Sequence, residues 1–426
     1  MKKIVLSSIL AISLYGENLN DLINIALKNN TTIKQSQIKV NTQEQSYIKS
    51  KSLYLPTLSL DADISKHNIE SSGVEMDGNS KTLSLNASQL LYDFGKSSHQ
   101  IDASKQNIKA SKKELYSTTR NIILNVTKVY YDILNKQALI NVAKESVKID
   151  KFQLYQAEEY FKAKIKTKID VTNAQLQLSN SNMKLLKANF DLKKANAKLI
   201  SLLSQKNVIV GNKPQNIKSL AKEIKKDSYN LKYLIDTAFK NRDELVMYKH
   251  LQKALKHKYQ SNKSDFYPTI NLIGSYKDSN SDDISSLETN QATTGVYLKW
   301  ELFSGFRTSA TKQESLNELR DIGEKLKEQE FSIIENVTNA YFDVEQNKQS
   351  VDISLLNVEL SKQNLELAQE RYINGLNSLV ELNDAKLDFI TAKNDLVNQY
   401  YGYKISQANL KYEIGTTNLD TKKGIK

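Results

Sequence analysis

Glu381 and Asp384 stand three residues apart, so they share one face of a helix, and Asp170 occupies the matching place 211 residues before Glu381. Carboxylates so arranged can hold cations, exchange protons or line a charged passage. Acids on a Lys-rich helix are ordinarily solvated surface charge, so the pattern alone selects none of these. The four histidines (His67, His99, His250 and His257) show no ligand spacing, and His250 and His257 lie seven apart, the interval of a solvated or seam face. No metal site is expected. The chain has no Cys, which removes disulfides, thiolate ligands and Cys nucleophiles together. No Gly-rich phosphate loop or nucleophile motif is present, so no catalytic residue, cofactor or enzymatic activity is expected.

The elements that must position these residues are long. Of 426 residues only 13 are Gly and 3 are Pro, against average usage of about 7% and 5%. Long, rarely interrupted helices fit that composition. With 39% hydrophobic and 25% charged residues, thin amphipathic helices that bury one stripe and wet the rest fit better than one large core. The net charge of +12 invites a nucleic-acid reading, yet only five of the 60 basic residues are Arg. Guanidinium forks suit phosphates and base edges, so the Lys belong to solvated helix faces and no nucleic-acid partner is expected.

The chain opens Met1-Lys2-Lys3, continues as 12 mostly apolar residues from Ile4 to Tyr15, and reaches Gly16-Glu17. That is the form of a secretory signal peptide spanning residues 1–16. No later segment approaches the roughly 18 apolar residues of a spanning helix, so entry into a membrane must be by strands.

One duplication with a period near 211 dominates the chain. Leu22 to Asn30 recurs as Leu234 to Arg242, Tyr54-Leu55-Pro56-Thr57-Leu58 as Phe266-Tyr267-Pro268-Thr269-Ile270, and Val126 to Asp132 as Val337 to Asp343. Leu91-Tyr92-Asp93-Phe94-Gly95 recurs, with a small slip, as Glu301-Leu302-Phe303-Ser304-Gly305. A heptad seam reads Val126, Ile133, Ile140, Val147, Leu154, Phe161 in the first half and Val337, Val344, Val351, Val358, Leu365, Tyr372 in the second. Such spacing means helices packed side by side. Polar seam positions (Lys136, Asp150, Asn347, Ser361) suit a larger, partly wet assembly. The fold class is therefore mainly α with a membrane β-barrel. The first repeat covers 17–203: a helix from Asn20 to Leu53, strands near 57–66 and 82–92, and helices 96–163 and 169–203. A connector follows at 204–228. The second repeat, 229–414, has a helix, strands near 269–277 and 293–303 and helices 307–374 and 378–414, before a tail at 415–426.

In the strands the period falls to two. Leu58, Leu60, Ala62 and Ile64 alternate with Ser59, Asp61, Asp63 and Ser65, and Val296, Leu298, Trp300 and Leu302 alternate with Tyr297, Lys299 and Glu301. Tyr54, Tyr92, Phe94, Phe266, Tyr267, Trp300, Phe303 and Phe306 gather where strands meet long helices, all at one end of the sheet. A membrane barrel seats rings there at the lipid interface. The opposite ends, 66–81 and 277–291, read as acidic polar loops. Four strands cannot close a barrel, for which about eight is the minimum, so the protein must oligomerise, and three copies leave a useful lumen.

This pattern resembles the TolC-type outer-membrane efflux family over nearly the whole mature chain. The resemblance rests on the duplicated Tyr-Leu-Pro and Tyr-Pro strand starts, the Tyr-Asp-Phe-Gly and Leu-Phe-Ser-Gly-Phe-Arg strand exits, and a motif late in each half, Glu159 to Ala174 and Glu370 to Ala385. It implies a homotrimer whose 12-stranded outer-membrane barrel continues as a periplasmic α-helical tunnel, surrounded by outer-membrane lipid. The tunnel would dock through a periplasmic adaptor on an inner-membrane pump of the RND, ABC or MFS type. It implies that the turns near Lys164 and Gly375 form the closed tip, that Glu381 and Asp384 line its narrowest ring, and that Asp170, Tyr372 and the residue at Asn377 belong to the contacts there. Lys164 stands where the family usually has Gly, which implies a differently built turn. Asn377 replaces a basic residue present in some members, which argues against an ionic latch. A periplasmic coiled-coil adaptor shares the signal peptide and the heptads, but not a whole-chain duplication with paired, aromatic-flanked strands.

Overall fold

The computed structural model describes residues 18–416 apart from 72–73, 207, 209, 212–215, 223, 225–229 and 282–287; the expected signal peptide at 1–16 lies outside them. The chain runs α1 (Leu19–Asn29), α2 (Thr31–Lys51), β1 (Thr57–Ser71), β2 (Val74–Tyr92), α3 (Lys96–Lys162), α4 (Lys168–Leu203), α5 (Ile217–Lys222), α6 (Leu231–Asn241), α7 (Asp243–Ser264), β3 (Thr269–Ser281), β4 (Glu288–Lys299), α8 (Arg307–Ile373) and α9 (Leu379–Glu413). Two compact units emerge. One holds the chain up to Lys34, Ser117–Arg242 and the chain from Phe331; the other holds Gln35–Tyr116 and Asp243–Glu330. The duplication is therefore a duplication of elements, and each unit takes pieces from both halves. Helices α3 and α8 have 67 residues each, or about 100 Å at 1.5 Å per residue.

The expected single helix before each first strand is two helices. The break falls at Asn30 in one half and Arg242 in the other, where each N–H still bonds back four residues, to the carbonyls of Ala26 and Ala238. The side chains explain the break. Asn30 Nδ2 donates to the Leu202 carbonyl at the end of α4 (2.7 Å). Arg242, buried at 6% exposure, pairs with the Glu413 carboxylate at the end of α9 (2.5 Å) and lies over the Tyr412 ring. At equivalent places each half pins its entry helices to its own last helix. The connector is also less loose than its composition suggests: it contains α5 and buries Val208, Val210, Ile217 and Ala221.

The strands form one antiparallel sheet in the order β1-β2-β3-β4. They extend further toward the hairpin ends than alternation indicated. β1 reaches Ser71 and β2 begins at Val74, so most of 66–81 is strand rather than loop. β3 and β4 likewise consume much of 277–291. At the other end β4 stops at Lys299, short of the expected 303, which leaves Trp300 and Leu302 beyond the strand.

The strand-to-helix exits show the duplication at its closest. Asp93 receives the N–H groups of Gly95 and Ser97, and Ser304, 211 residues later, receives the N–H of Thr308. Each capping residue precedes two consecutive left-handed residues: Phe94 (φ 53°) and Gly95 (φ 88°) in one half, Gly305 (φ 59°) and Phe306 (φ 66°) in the other. The Phe and Gly exchange places, while the backbone path repeats without the slip seen in the sequence. The turns after the long helices repeat too. Lys164 (φ 59°) and Gly375 (φ 73°) are both left-handed, and the next residues, Ile165 and Leu376, donate to the Tyr160 and Arg371 carbonyls. Lys164 therefore builds the same turn as a Gly, not a different one.

The heptad seam is buried throughout the second half, from Val337 to Tyr372. In the first half burial holds from Val126 to Val147, weakens at Leu154 and is lost at Phe161, which is 44% exposed in one protomer. Between α3 and α9 the seam carries an antiparallel ladder of polar pairs: Lys128–Asn409, Asn135–Asn398, Glu145–Lys393 and Asp150–Lys386. The last is buried, at 0% exposure for the Asp150 side chain and 10% for Lys386 (Nζ–Oδ1 2.5 Å).

Two measurements probe these features. Lys386→Met strands a buried carboxylate and should cost about 3–5 kcal/mol, lowering the midpoint of thermal unfolding followed by circular dichroism. Asp150→Leu/Lys386→Met should recover most of the loss, and a single mutant as stable as wild type would show that the pair is solvated. At the tip turns, a Cβ on Gly375 meets nothing within 4 Å, so Gly375→Ala should cost about 1 kcal/mol from left-handed strain alone. Lys164→Gly should be neutral or slightly stabilising. Hydrogen exchange of the Leu376 and Ile165 amides reads each turn, and equal behaviour of both variants would sink the strain account.

Candidate functional site

Within the second unit the candidate surface is the sheet. Its register places Leu60, Leu85, Tyr276 and Ala292 in one row, and Gln89, Leu272 and Val296 in another. Leu58, Leu60, Leu83, Leu85, Leu272, Tyr276, Val296 and Leu298 therefore share one face, and Ser59, Asp61, Ser84, Asn86, Ser88 and Ser275 share the other, which Ile273 interrupts opposite Ser88. The apolar face is open: Leu58, Leu60 and Ile64 are 71%, 67% and 79% exposed, and Val296 and Leu298 exceed half. A soluble protein of one chain would not leave that many β-face aliphatics wet. The outer edges of β1 and β4 have no strand partner among the described residues.

The rings gather at one end of this sheet, as their sequence positions indicated. Phe94 packs edge-on to Tyr92 (4.8 Å) and stacks on Tyr267 (5.1 Å), and Phe303 meets Phe306 at 5.7 Å. Trp300 is not within a strand. Its Nε1 donates to the Phe266 carbonyl (3.1 Å), which ties the end of β4 to the start of β3. The Tyr54 carbonyl accepts from Gln89 Nε2 (2.6 Å) and does the same for β1 and β2. All eight rings are exposed by 39% or more.

Within the first unit the candidate residues lie at the turns between α3 and α4 and between α8 and α9. Asp170 and Glu381 both face back on their own helices. Asp170 Oδ2 accepts from the Thr167 N–H (2.9 Å) and hydroxyl (2.8 Å). Glu381 Oε2 accepts from the Ser378 N–H (2.8 Å) and hydroxyl (3.2 Å), and the Ser378 hydroxyl receives the Glu381 N–H. These are capping boxes. The bonds from Ser378 hold the Glu381 carboxyl below its usual range, with a smaller contribution from Arg371. The signal was in the sequence as Thr167-x-x-Asp170 and Ser378-x-x-Glu381, each ahead of an apolar run.

Tyr372 brings the two turns together. It is buried at 3% exposure, 6.4 Å from the Tyr160 ring, with Lys166 Nζ over its face at 4.9 Å. Burial raises its phenol pKa, and the nearby Asp170 charge raises it further. Its hydroxyl has no hydrogen-bond partner among the described residues. Asp384 is exposed and borders a polar recess with Ser146, Asn180, Lys184 and Lys386. Asn377 is half-buried in its turn. Lys166 and Lys386 escape sequence reasoning because their partners are remote: Tyr372 is 206 residues from Lys166, and Asp150 is 236 from Lys386.

Among solved structures, the fold is similar to CusC (TM-score 0.81, 18% identity, covering 95% of this chain and 96% of that one). It is also similar to the Campylobacter jejuni CmeC outer membrane channel (TM-score 0.78, 19% identity, 94% and 86%). By sequence, Outer membrane protein TolC of Salmonella enteritidis is 26% identical over 161 residues, 35% of this chain and 33% of that relative. The match therefore spans about a third of TolC. The sequence model for outer membrane efflux proteins matches residues 22–205 and 234–416, the two halves of the duplication. Those two matches cover most of the chain, and the protein belongs to the outer membrane efflux protein family.

Proposed function

We propose that the protein is the outer-membrane exit duct of a tripartite efflux or type I secretion system. Three copies close a 12-stranded barrel in the outer membrane, and their helices continue it as a tunnel through the periplasm. The duct passively conducts what an inner-membrane pump delivers through a periplasmic adaptor. The single observation that carries this reading is the open, two-faced sheet. Four strands with two unpaired edges cannot sit in lipid alone, because every backbone group there needs a partner. Edge-to-edge repetition of β1 against β4 of the next copy satisfies both edges and turns the apolar face to lipid and the Ser/Asn/Asp face inward. The strands, 12 to 19 residues long, exceed the 9–11 or so that cross the hydrocarbon, so the hairpin ends project beyond it.

Epitope tags at Gly73 and Asp283, which lie outside the described residues between the paired strands, should be reachable on intact cells. Labelling only after the outer membrane is breached would reverse the orientation. Leu60→Lys, in the middle of the apolar face, should cost about 2–4 kcal/mol per protomer, whereas Trp300→Lys, at the ring-lined end, should cost about 0–1. Gel filtration and heat-modifiable migration of the assembled form read the difference, and equal assembly of both would mean that this face does not meet lipid.

For the tip, the proposal is that Glu381 and Asp384 of three copies line the narrowest ring, with Asp170 and Tyr372 among the contacts that close it. Capping keeps Glu381 ionised against the repulsion of like charges gathered on one axis. Single-channel recordings in planar bilayers should show cation selectivity and block by trivalent ions, both weakened in Glu381→Gln/Asp384→Asn. Unchanged selectivity in the double variant would remove these residues from the constriction.

A further inference from the structure

Over Lys96 to Tyr116, α3 runs antiparallel to α7, and a polar pair recurs at each heptad step. Lys113 meets Asp243 (2.9 Å), Gln106 meets His250 (2.8 Å), and His99 meets His257. The first two pairs match a donor to an acceptor. The third sets two imidazoles side by side, tilted by 39° with ring centroids 5.6 Å apart and Nδ1 3.4 Å from Nδ1, so that which one donates depends on the tautomer. Neutral imidazoles so placed make at most one long N–H···N bond. Asp102 follows His99 by three residues and so projects from the same face. One ligand atom from each of His99, Asp102 and His257 lies within 4.8 Å of the others.

The geometry points to a divalent transition-metal site formed by His99, Asp102 and His257, with zinc as the representative ion. Two imidazole nitrogens bound at 2.0–2.1 Å in a tetrahedral shell stand about 3.4 Å apart, which is the spacing here. A rotamer adjustment of Asp102 brings its carboxylate to the third position, and the fourth stays open to water or another ligand. Two nitrogens and one oxygen suit zinc, nickel, cobalt or copper and disfavour magnesium and calcium. All three side chains are half-buried, so an ion can reach them. Two of the neighbouring lysines are engaged elsewhere: Lys96 pairs with Asp265 (2.5 Å), and Lys258 with Glu318. His99 is in the first turn of α3, directly after the Asp93–Gly95 exit from β2. A bound ion therefore ties the point where strand becomes helix to α7, which leads into β3 through the Phe266–Tyr267 corner.

The test uses the full-length assembled protein in detergent, purified without a polyhistidine tag and stripped with a chelator. Calorimetric titration with zinc chloride should show one ion per protomer, and cobalt should give the visible d–d bands of a tetrahedral imidazole site. His99→Gln and His257→Gln should each weaken zinc binding by about 100-fold or more, and Asp102→Asn by about 10-fold or more. His250→Gln, on the same helix but paired with Gln106, should bind as wild type does. Zinc should raise the melting temperature of the wild type and not of His99→Gln. No saturable zinc binding by the wild type, retention of binding in both His99→Gln and His257→Gln, or an equal loss in His250→Gln would each overturn the assignment. Should a variant fail to assemble, the cobalt spectrum of the wild type decides: without tetrahedral bands there is no such site.

Discussion

The outer edges of β1 and β4 present rows of backbone N–H and C=O groups for which the described residues of this chain supply no partner strand. In water such edges are a liability, and in hydrocarbon each unpaired group costs several kcal/mol. Much else follows from that constraint. In the proposed duct the sheet is completed by other copies, so its twist and length have to suit a closed ring. The aliphatic face has to be uniform across all four strands, which the register achieves by aligning Leu60, Leu85, Tyr276 and Ala292. At the ring-lined end of the sheet, the backbone carbonyls of Tyr54 and Phe266 accept from Gln89 and Trp300 and lock adjacent strands.

Leaving such a sheet for a 67-residue helix requires a change from extended to helical backbone, and both halves solve it alike. A capping residue, Asp93 or Ser304, accepts N–H groups at the start of the helix, and two left-handed residues turn the chain from strand into helix. Only one of the two is glycine in each half, and which one differs. A Phe in the left-handed region costs of order 1–2 kcal/mol, yet it places a ring in the cluster at the end of the sheet. This is how a chain with 13 glycines in 426 residues builds corners that many folds would assign to glycine.

The helices face a different problem, since thin bundles have little core. The α3–α9 seam carries polar pairs at intervals, culminating in the buried Lys386–Asp150 contact. A buried ion pair adds little net stability over an apolar pair, but removing one partner is expensive. Pairs of this kind therefore penalise sliding of one helix along the other, which a repeating heptad of Val and Leu would tolerate. The capping boxes at Thr167 and Ser378 act similarly at the turns, fixing where α4 and α9 begin.

The sequence by itself determined the class of every long element, the duplication, the alternation that marks the strands, and the ring positions at one end of the sheet. It could do so because period and composition are local and are repeated over many residues, as from Val337 to Tyr372. It also contained the capping boxes, in two Ser/Thr-x-x-acid patterns. What only the tertiary structure decided depends on partners far apart in the chain. Strand ends at Ser71 and Lys299 are set by cross-strand pairing, not by alternation, which fades in the polar hairpin ends. The helix breaks at Asn30 and Arg242 are fixed by α4 and α9, over 170 residues away. His99 and His257 meet only because α3 and α7 are antiparallel. Spacing within one segment cannot reveal such a meeting, because the distance between two helices is not recorded in either one.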